Sequence, residues 1–283
     1  FTTAGGSQKK VEAASTGKLS VTGYQDYSDA QKILKEVNKY RKKNGRKALK
    51  MDRGLTNSAI MRGFETTIYI PETSPHRRPN GKLSKSINKK IIYENCAQSA
   101  GTTPKQIVKG WINSSTHRKG LLLSNAKSVG VAAVTVVSRD GYEANTWVLD
   151  FSSSKAKKVE KSKARKQFTK NIVTKNSYLK KSYLKLDSRY GTIWETEKMQ
   201  MKPTYQGKMM KEYGVYPTVI NTSSFTSWKS SNPSVASVDS NGRITGNKAG
   251  TATISAKLKT GTKITISKKI KVVPTNQQID PWE

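Results

Sequence analysis

Residues 93–120 read YENCAQSAGTTPKQIVKGWINSSTHRKG. A carboxylate, Glu94, stands near the front of this stretch. Thr103 followed by Pro104 is a helix start, a capping side chain and then a proline at the first helical position. Ile107, Val108, Trp111 and Ile112 then share one apolar face. His117 follows just past the end of that helix. The chain holds two histidines, and the other, His76, lies upstream in SPHRRPNG, residues 74–81. Two imidazoles thus flank one carboxylate within a short span.

Working outward, Val129, Val131, Ala133, Thr135 and Val137 alternate as a strand. Asp140-Gly141 turns it, and Thr146 to Phe151 returns as the second arm of a hairpin. Upstream, Ser28 or Asp29 is a candidate cap for a helix ending at Asn44-Gly45, with Ile33, Leu34, Val37 and Tyr40 inward. Asp52 caps a second helix carrying Leu55, Ala59, Ile60 and Phe64 towards Tyr69. Pro71 to Gly81, with three prolines and a terminal Asn-Gly, reads as a loop. Residues 24–153 therefore form an α+β domain.

The flanks are simpler. Residues 1–23 are rich in Gly, Ser, Thr and Lys and read as a flexible lead-in. Lys155 to Lys185 holds twelve Lys/Arg and one acid, Glu160, which makes 154–183 a basic linker or solvated arm. Residues 184–275 read as all-β, with turns at Asn241-Gly242 and Thr260-Gly261 between short alternating strands. Residues 276–283 are a tail.

The chain has 283 residues, 52 Lys+Arg against 19 Asp+Glu, and a net charge of +33. Such an excess draws a protein to anionic surfaces. The sparse aromatics of the basic arm, Phe168, Tyr178 and Tyr183, lack a stacking motif, which argues against nucleic acid. Cys96 is the single cysteine, so no intrachain disulfide can form. No apolar run approaches the ~20 residues of a membrane-crossing helix. Phe1 in place of Met leads to the expectation that a signal segment preceded it.

Four pieces of the first domain, in order, resemble the CAP superfamily of cysteine-rich secretory, antigen 5 and pathogenesis-related proteins, the SCP domain. These are HRRPNG at 76–81, Glu94-Asn95 with Ala97, WINSSTHR at 111–118, and Val129-Gly130-Val131. SSNPSVA at 230–236 and GTATI at 250–254 resemble a bacterial Ig-like domain of group 2. The resemblance implies an α-β-α sandwich with a central antiparallel sheet, followed by a C-terminal all-β Ig-like sandwich. It also implies a cleft lined by two histidines and two acids. His76, His117 and Glu94 take three of these places, and Ser114 stands where the second acid would be.

Three chemistries stay open for these residues. His76, Glu94 and His117 could hold a divalent metal such as zinc, with water as fourth ligand. A histidine could act as a general base oriented by Glu94. Or the group could be a buried polar network fixing the loop. Cys96, beside Glu94, reads as a small core hydrophobe. Trp111 reads as core, Glu65 as facing either cleft or solvent, and Arg77 and Arg78 as candidate anion contacts. The expected function is non-catalytic binding outside the cell or at its surface. The ligand would be an anionic cell-wall polymer, a lipid or a small molecule held in a cleft of His76, Glu94, Ser114 and His117. The Ig-like domain would act as spacer or adhesion module. The alternative is a metal-dependent or His/Glu-based, peptidase-like hydrolase acting in the same place.

Overall fold

The computed structural model describes residues 16–68, 76–188 and 190–277. The first module runs β1 (Thr16–Asp26), α1 (Tyr27–Lys43), β2 (Lys50–Met51), α2 (Arg53–Thr66), β3 (Tyr93–Ser99), α3 (Pro104–Asn113), α4 (Ser115–Leu121), β4 (Ser128–Val137), β5 (Glu143–Ser152) and β6 (Arg165–Lys175). Its sheet has the order β3-β5-β4-β1-β6, antiparallel throughout, with β2 added parallel to β4.

Side chains on the paired strands β4 and β5 alternate between two helical layers, as the period-two pleat requires. Ala132, Val134, Val136 and Val148 pack with Ala59, Ile60 and Phe64 of α2. Val129, Val131, Ala133, Trp147, Leu149 and Phe151 pack with Ile33 and Val37 of α1 and with Val108 and Trp111 of α3. The result is an α-β-α sandwich. Gly130 is required by this closeness: a Cβ there would lie 2.2 Å from the Leu55 carbonyl oxygen of α2.

The helix caps carry one correction. Asp26, not Ser28 or Asp29, caps α1, its carboxylate accepting from Asp29 N at 2.9 Å. Asp52 caps α2 and accepts from Leu55 N at 2.9 Å. Thr103 and Gln106 form a reciprocal capping box on α3. The expected run of α2 to Tyr69, and the prolines Pro71 and Pro75 of the expected loop, lie outside the described residues, as do 1–15 and 278–283.

Two stretches differ from their sequence reading. From Thr16 the expected flexible lead-in is strand β1, and the expected basic arm contains β6. The two strands pair over eleven positions, Thr16↔Lys175 to Asp26↔Arg165. In β1 the inward residues are Gly17, Leu19, Val21, Gly23 and Gln25, all buried. Two glycines and a glutamine on that face disguise the alternation. Gln25 is satisfied by its amide bonds to Val131 O and Ala133 N of β4. In β6, Ile172 and Thr174 turn inward, and Phe168 packs against the same core. Lys166 and Lys170, at the same parity as Phe168, Ile172 and Thr174, hide that pattern in the sequence.

The second module comprises β7 (Leu184–Asp187), β8 (Thr192–Trp194), β9 (Lys198–Gln200), β10 (Lys202–Tyr205), α5 (Lys208–Glu212), β11 (Thr218–Val219), β12 (Phe225–Ser230), β13 (Ala236–Val238), β14 (Arg243–Gly246), β15 (Gly250–Leu258) and β16 (Thr265–Val273). Its sheets are β12-β15-β16-β8, β13-β14-β9 and β11-β10-β7. The turns at Gly242 (φ 74°) and Gly261 (φ 90°) adopt the left-handed backbone that favours glycine. The two modules share one continuous core, from Leu19 and Ile172 to Leu179, Phe225 and Ile266. Backbone bonds from Asn221 N to Ser20 O (2.8 Å) and from Arg139 N to Pro217 O (3.2 Å) fix the junction. The basic segment is thus part of the sheet, not a free tether.

Candidate functional site

The site begins with α2. Arg62 and Glu65 are one helical turn apart on the same face, and both are buried. Arg62 Nε donates to Glu94 Oε2 at 2.8 Å and its Nη2 to Glu94 Oε1 at 3.2 Å. Its Nη1 donates to Glu65 Oε2 at 2.8 Å. One guanidinium therefore holds two carboxylates, in the planar fork geometry that suits arginine.

The HRRPNG loop closes this chain from both ends. Residues two apart on extended backbone point the same way, and His76 and Arg78 do so. His76 Nδ1 lies 3.0 Å from Glu94 Oε1. Arg78 donates from Nη2 to Glu65 Oε1 at 2.7 Å and from Nε at 2.9 Å. Arg77, between them, is exposed and bonds Gly81 O. The loop is folded back by Gly81 N to Arg78 O (2.8 Å) and Ser84 N to His76 O (2.8 Å), with Gly81 at φ 84°. The order is Arg78, Glu65, Arg62, Glu94, His76: base and acid alternate.

His117 arrives differently. The structure places it in the short helix α4, just past the end of α3. Tyr93 OH donates to Thr116 O and Asn95 Nδ2 to His117 O, both at 2.9 Å, which ties α4 to β3. Its Nδ1 lies 2.9 Å from Ser114 Oγ, and the ring also hydrogen-bonds the Cys96 backbone. Burial first, and then the positive charge available to His76, hold its pKa below the ordinary 6.5. Ser114 thus orients an imidazole at the position where an acid was expected.

Burial works against charge in this cluster, yet mutual pairing decides most of it. For Arg62 the two carboxylates outweigh desolvation and keep it protonated. For Glu94, burial pushes the pKa up, but His76 and Arg62 bring it below the usual carboxylate value. Cys96 goes the other way: burial, with Glu94 behind it, pushes the thiol up to about 12.

Asp150 is the member the sequence reading missed. It is fully buried and sits opposite Glu94 in the β3–β5 register. Neither of its oxygens has a hydrogen-bond partner among the described residues. Burial, then Glu94, raises its pKa well above the usual value, which favours the neutral acid. The available signal was an acid at an inward position of the apolar run TWVLDF. Arg62 was equally hidden, since a helical arginine ordinarily reads as surface.

A metal held by His76, Glu94 and His117 does not fit these placements. Both Glu94 oxygens accept from Arg62, and His76 Nδ1 turns to Glu94. His117 Nδ1 is taken up by Ser114 Oγ. The donor atoms that do gather, within 4.8 Å of one another, belong to His76, Glu94 and Cys96. A thiol with so high a pKa, buried beside the Glu94 carboxylate, is a poor source of thiolate.

Comparison with known proteins agrees with this architecture. Residues 34–151 match the cysteine-rich secretory protein family, CAP, and residues 206–270 match the bacterial Ig-like domain of group 2. The chain therefore carries a CAP domain followed by a bacterial Ig-like domain. A curated relative, the uncharacterized protein YkwD of Bacillus subtilis (strain 168), is 31% identical over 130 residues, 44% of this chain and 48% of that protein. The chain thus spans about half the length of that relative. Among solved structures, an outer surface protein of Borrelia burgdorferi aligns at 16% identity and a TM-score of 0.35, covering 46% of this chain and 98% of that one. An extracellular SCP-domain protein of Bacillus anthracis str. Ames aligns at 18% and 0.33, covering 44% and 41%.

Proposed function

We propose that this is an extracellular or surface-held binding protein. Its CAP domain receives a ligand or envelope component at the imidazole-lined cleft without turning it over, and its Ig-like domain serves as spacer or adhesion module. One observation carries the reading: every oxygen of Glu65 and Glu94 is engaged by arginine or histidine. Glu94, its charged form held by His76 and Arg62, is a weakened base. The imidazole of His76 is what meets solvent, its side chain 38% exposed.

The partner class follows from charge. With +33 overall, a phosphate-bearing envelope polymer such as teichoic acid is the favoured surface. Exposed lysines of edge strand β6 add to that field. The test is binding of the full chain to purified glycerol-phosphate polymer across a salt series. Binding should weaken steeply as salt rises, because the contacts are screened. Salt-independent binding contradicts the electrostatic part. Zinc-dependent cleavage of peptide or wall fragments, lost in both His76→Ala and His117→Ala, would establish the hydrolase instead.

A further inference from the structure

The junction of the two modules forms an open cavity of about 470 Å³ that the His76–Glu94 cluster does not use. From Glu94↔Asp150 to Gln98↔Thr146 the β3–β5 pair advances four residues, roughly 13 Å at strand rise. The cavity opens beyond that point. One wall is the ends of β3, β4 and β5, and the other is the segment from Gly214 to Thr218. Domain junctions are a preferred place for small-molecule sites, and this volume lies in their usual range. The junction is held ready: Thr218 Oγ1 donates to Thr67 O at 2.7 Å, and Ser138 bridges to Thr218.

Three features define what would fit. First, the lining holds no lysine or arginine among the described residues, although 52 of 283 residues are basic. Its one charge, Glu143, pairs with Arg165 at 3.0 Å. An anion finds no partner inside. Second, Tyr142 and Tyr216, one from each module, stack at 5.0 Å and 24°. They are 60% and 53% exposed, a ring platform left open to solvent. Third, the polar side chains of the walls are mostly engaged within the protein. Ser99 accepts from Trp147 at 2.7 Å, Thr146 donates to Gly63 O at 2.9 Å, and Gln98 donates to Thr66 O. The exception is Ser138, 5% exposed, whose Oγ is buried with no partner among the described residues.

The geometry points to a binding site for an uncharged, flat, mostly apolar ring compound carrying one hydroxyl or carbonyl group. The ring lies against the Tyr142–Tyr216 platform, and Ser138 turns about χ1 to present its covered Oγ to the polar group. A saccharide is disfavoured, because its many hydroxyls would meet side chains that are already paired. Ser138 supplies the converse argument: a buried hydroxyl without a partner costs stability until something bonds it.

The test uses the full chain and 2-naphthol as probe, read by calorimetric titration. Naphthalene-2-sulfonate and a neutral disaccharide serve as comparison arms. 2-Naphthol should bind saturably, one per chain. Ser138→Ala should weaken it about 5- to 10-fold, the range of one lost hydrogen bond. The double variant Tyr142→Ala/Tyr216→Ala should weaken it about 10-fold or more. Ser138→Ala should also leave the urea midpoint unchanged or raised, since it removes an unpartnered hydroxyl. No saturable binding overturns the assignment. So does equal affinity in all three proteins, a lowered midpoint in Ser138→Ala, or Ser138-dependent binding of the disaccharide or the sulfonate.

Discussion

The charge cluster and the junction cavity treat polarity in opposite ways. In the cluster, Arg78, Glu65, Arg62, Glu94 and His76 form one alternating chain of charge, four of its members in or near the dry interior. At the cavity the walls carry one charge, Glu143, and a single buried hydroxyl lacks a partner among the described residues. The difference teaches how to read the two sites. Charges that saturate one another shape a surface, whereas an unmet polar atom in an apolar space is an offer to a ligand.

The comparison is broken most forcefully at Arg62. Arg62→Met leaves Glu65 and Glu94 buried without their common partner, and unpaired buried charges cost about 3–5 kcal/mol. Urea unfolding of the full chain should show this as the largest loss of any single change in either region. A loss under about 1 kcal/mol would mean the carboxylates find water or protons instead.

Next comes pH. The folded-state pKa of Glu94 is depressed, so its contribution is present above the unfolded value and is lost as pH falls through the folded one. Asp150 has the opposite sign. Its folded-state pKa is raised, so stability falls as pH climbs from its ordinary 3.8 towards the folded value. Asp150→Asn removes that decline. Its urea midpoint, relative to the parent, should rise with pH above about 4. A pH-independent difference would show that Asp150 is ionised or hydrated in the fold.

Smaller effects belong to the junction. Thr218→Val removes the bond to Thr67 O and should cost about 1 kcal/mol, near the mean for a neutral hydrogen bond. Glu143→Gln breaks an ion pair whose side chains are 54% and 46% exposed. It should change stability by no more than about 0.5 kcal/mol, as exposed pairs do. If Glu143→Gln proved costlier than Thr218→Val, the cavity rim would be more electrostatic than its lining indicates.

Periodicity and local chemistry made much of the fold legible. α1, α2 and α3, the Asp52 and Thr103 caps and the β4–β5 hairpin all announce themselves through apolar spacing and turn residues. β1 and β6 do not. Their inward faces carry Gly17, Gly23, Gln25 and Thr174, which pack or bond well but are not hydrophobic. In the site, the resemblance of the His76 and Glu94 motifs to a CAP domain implied a shared cleft, and His76 Nδ1 does meet Glu94. Arg62 and Asp150 were silent, because a buried charge is recognisable only with its partners, and those come from other elements. Glu65 was ambiguous for the same reason: its fate depends on Arg78, thirteen residues away.

The central claim is that the imidazoles of this cleft meet a ligand and leave it intact. With only two histidines in the chain, ring resonances of His76 and His117 can be followed by NMR while short glycerol-phosphate polymer is added. The account predicts saturable shifts of both rings, with polymer signals unchanged after prolonged incubation. Rings that do not respond, or a polymer that is cut, would contradict it.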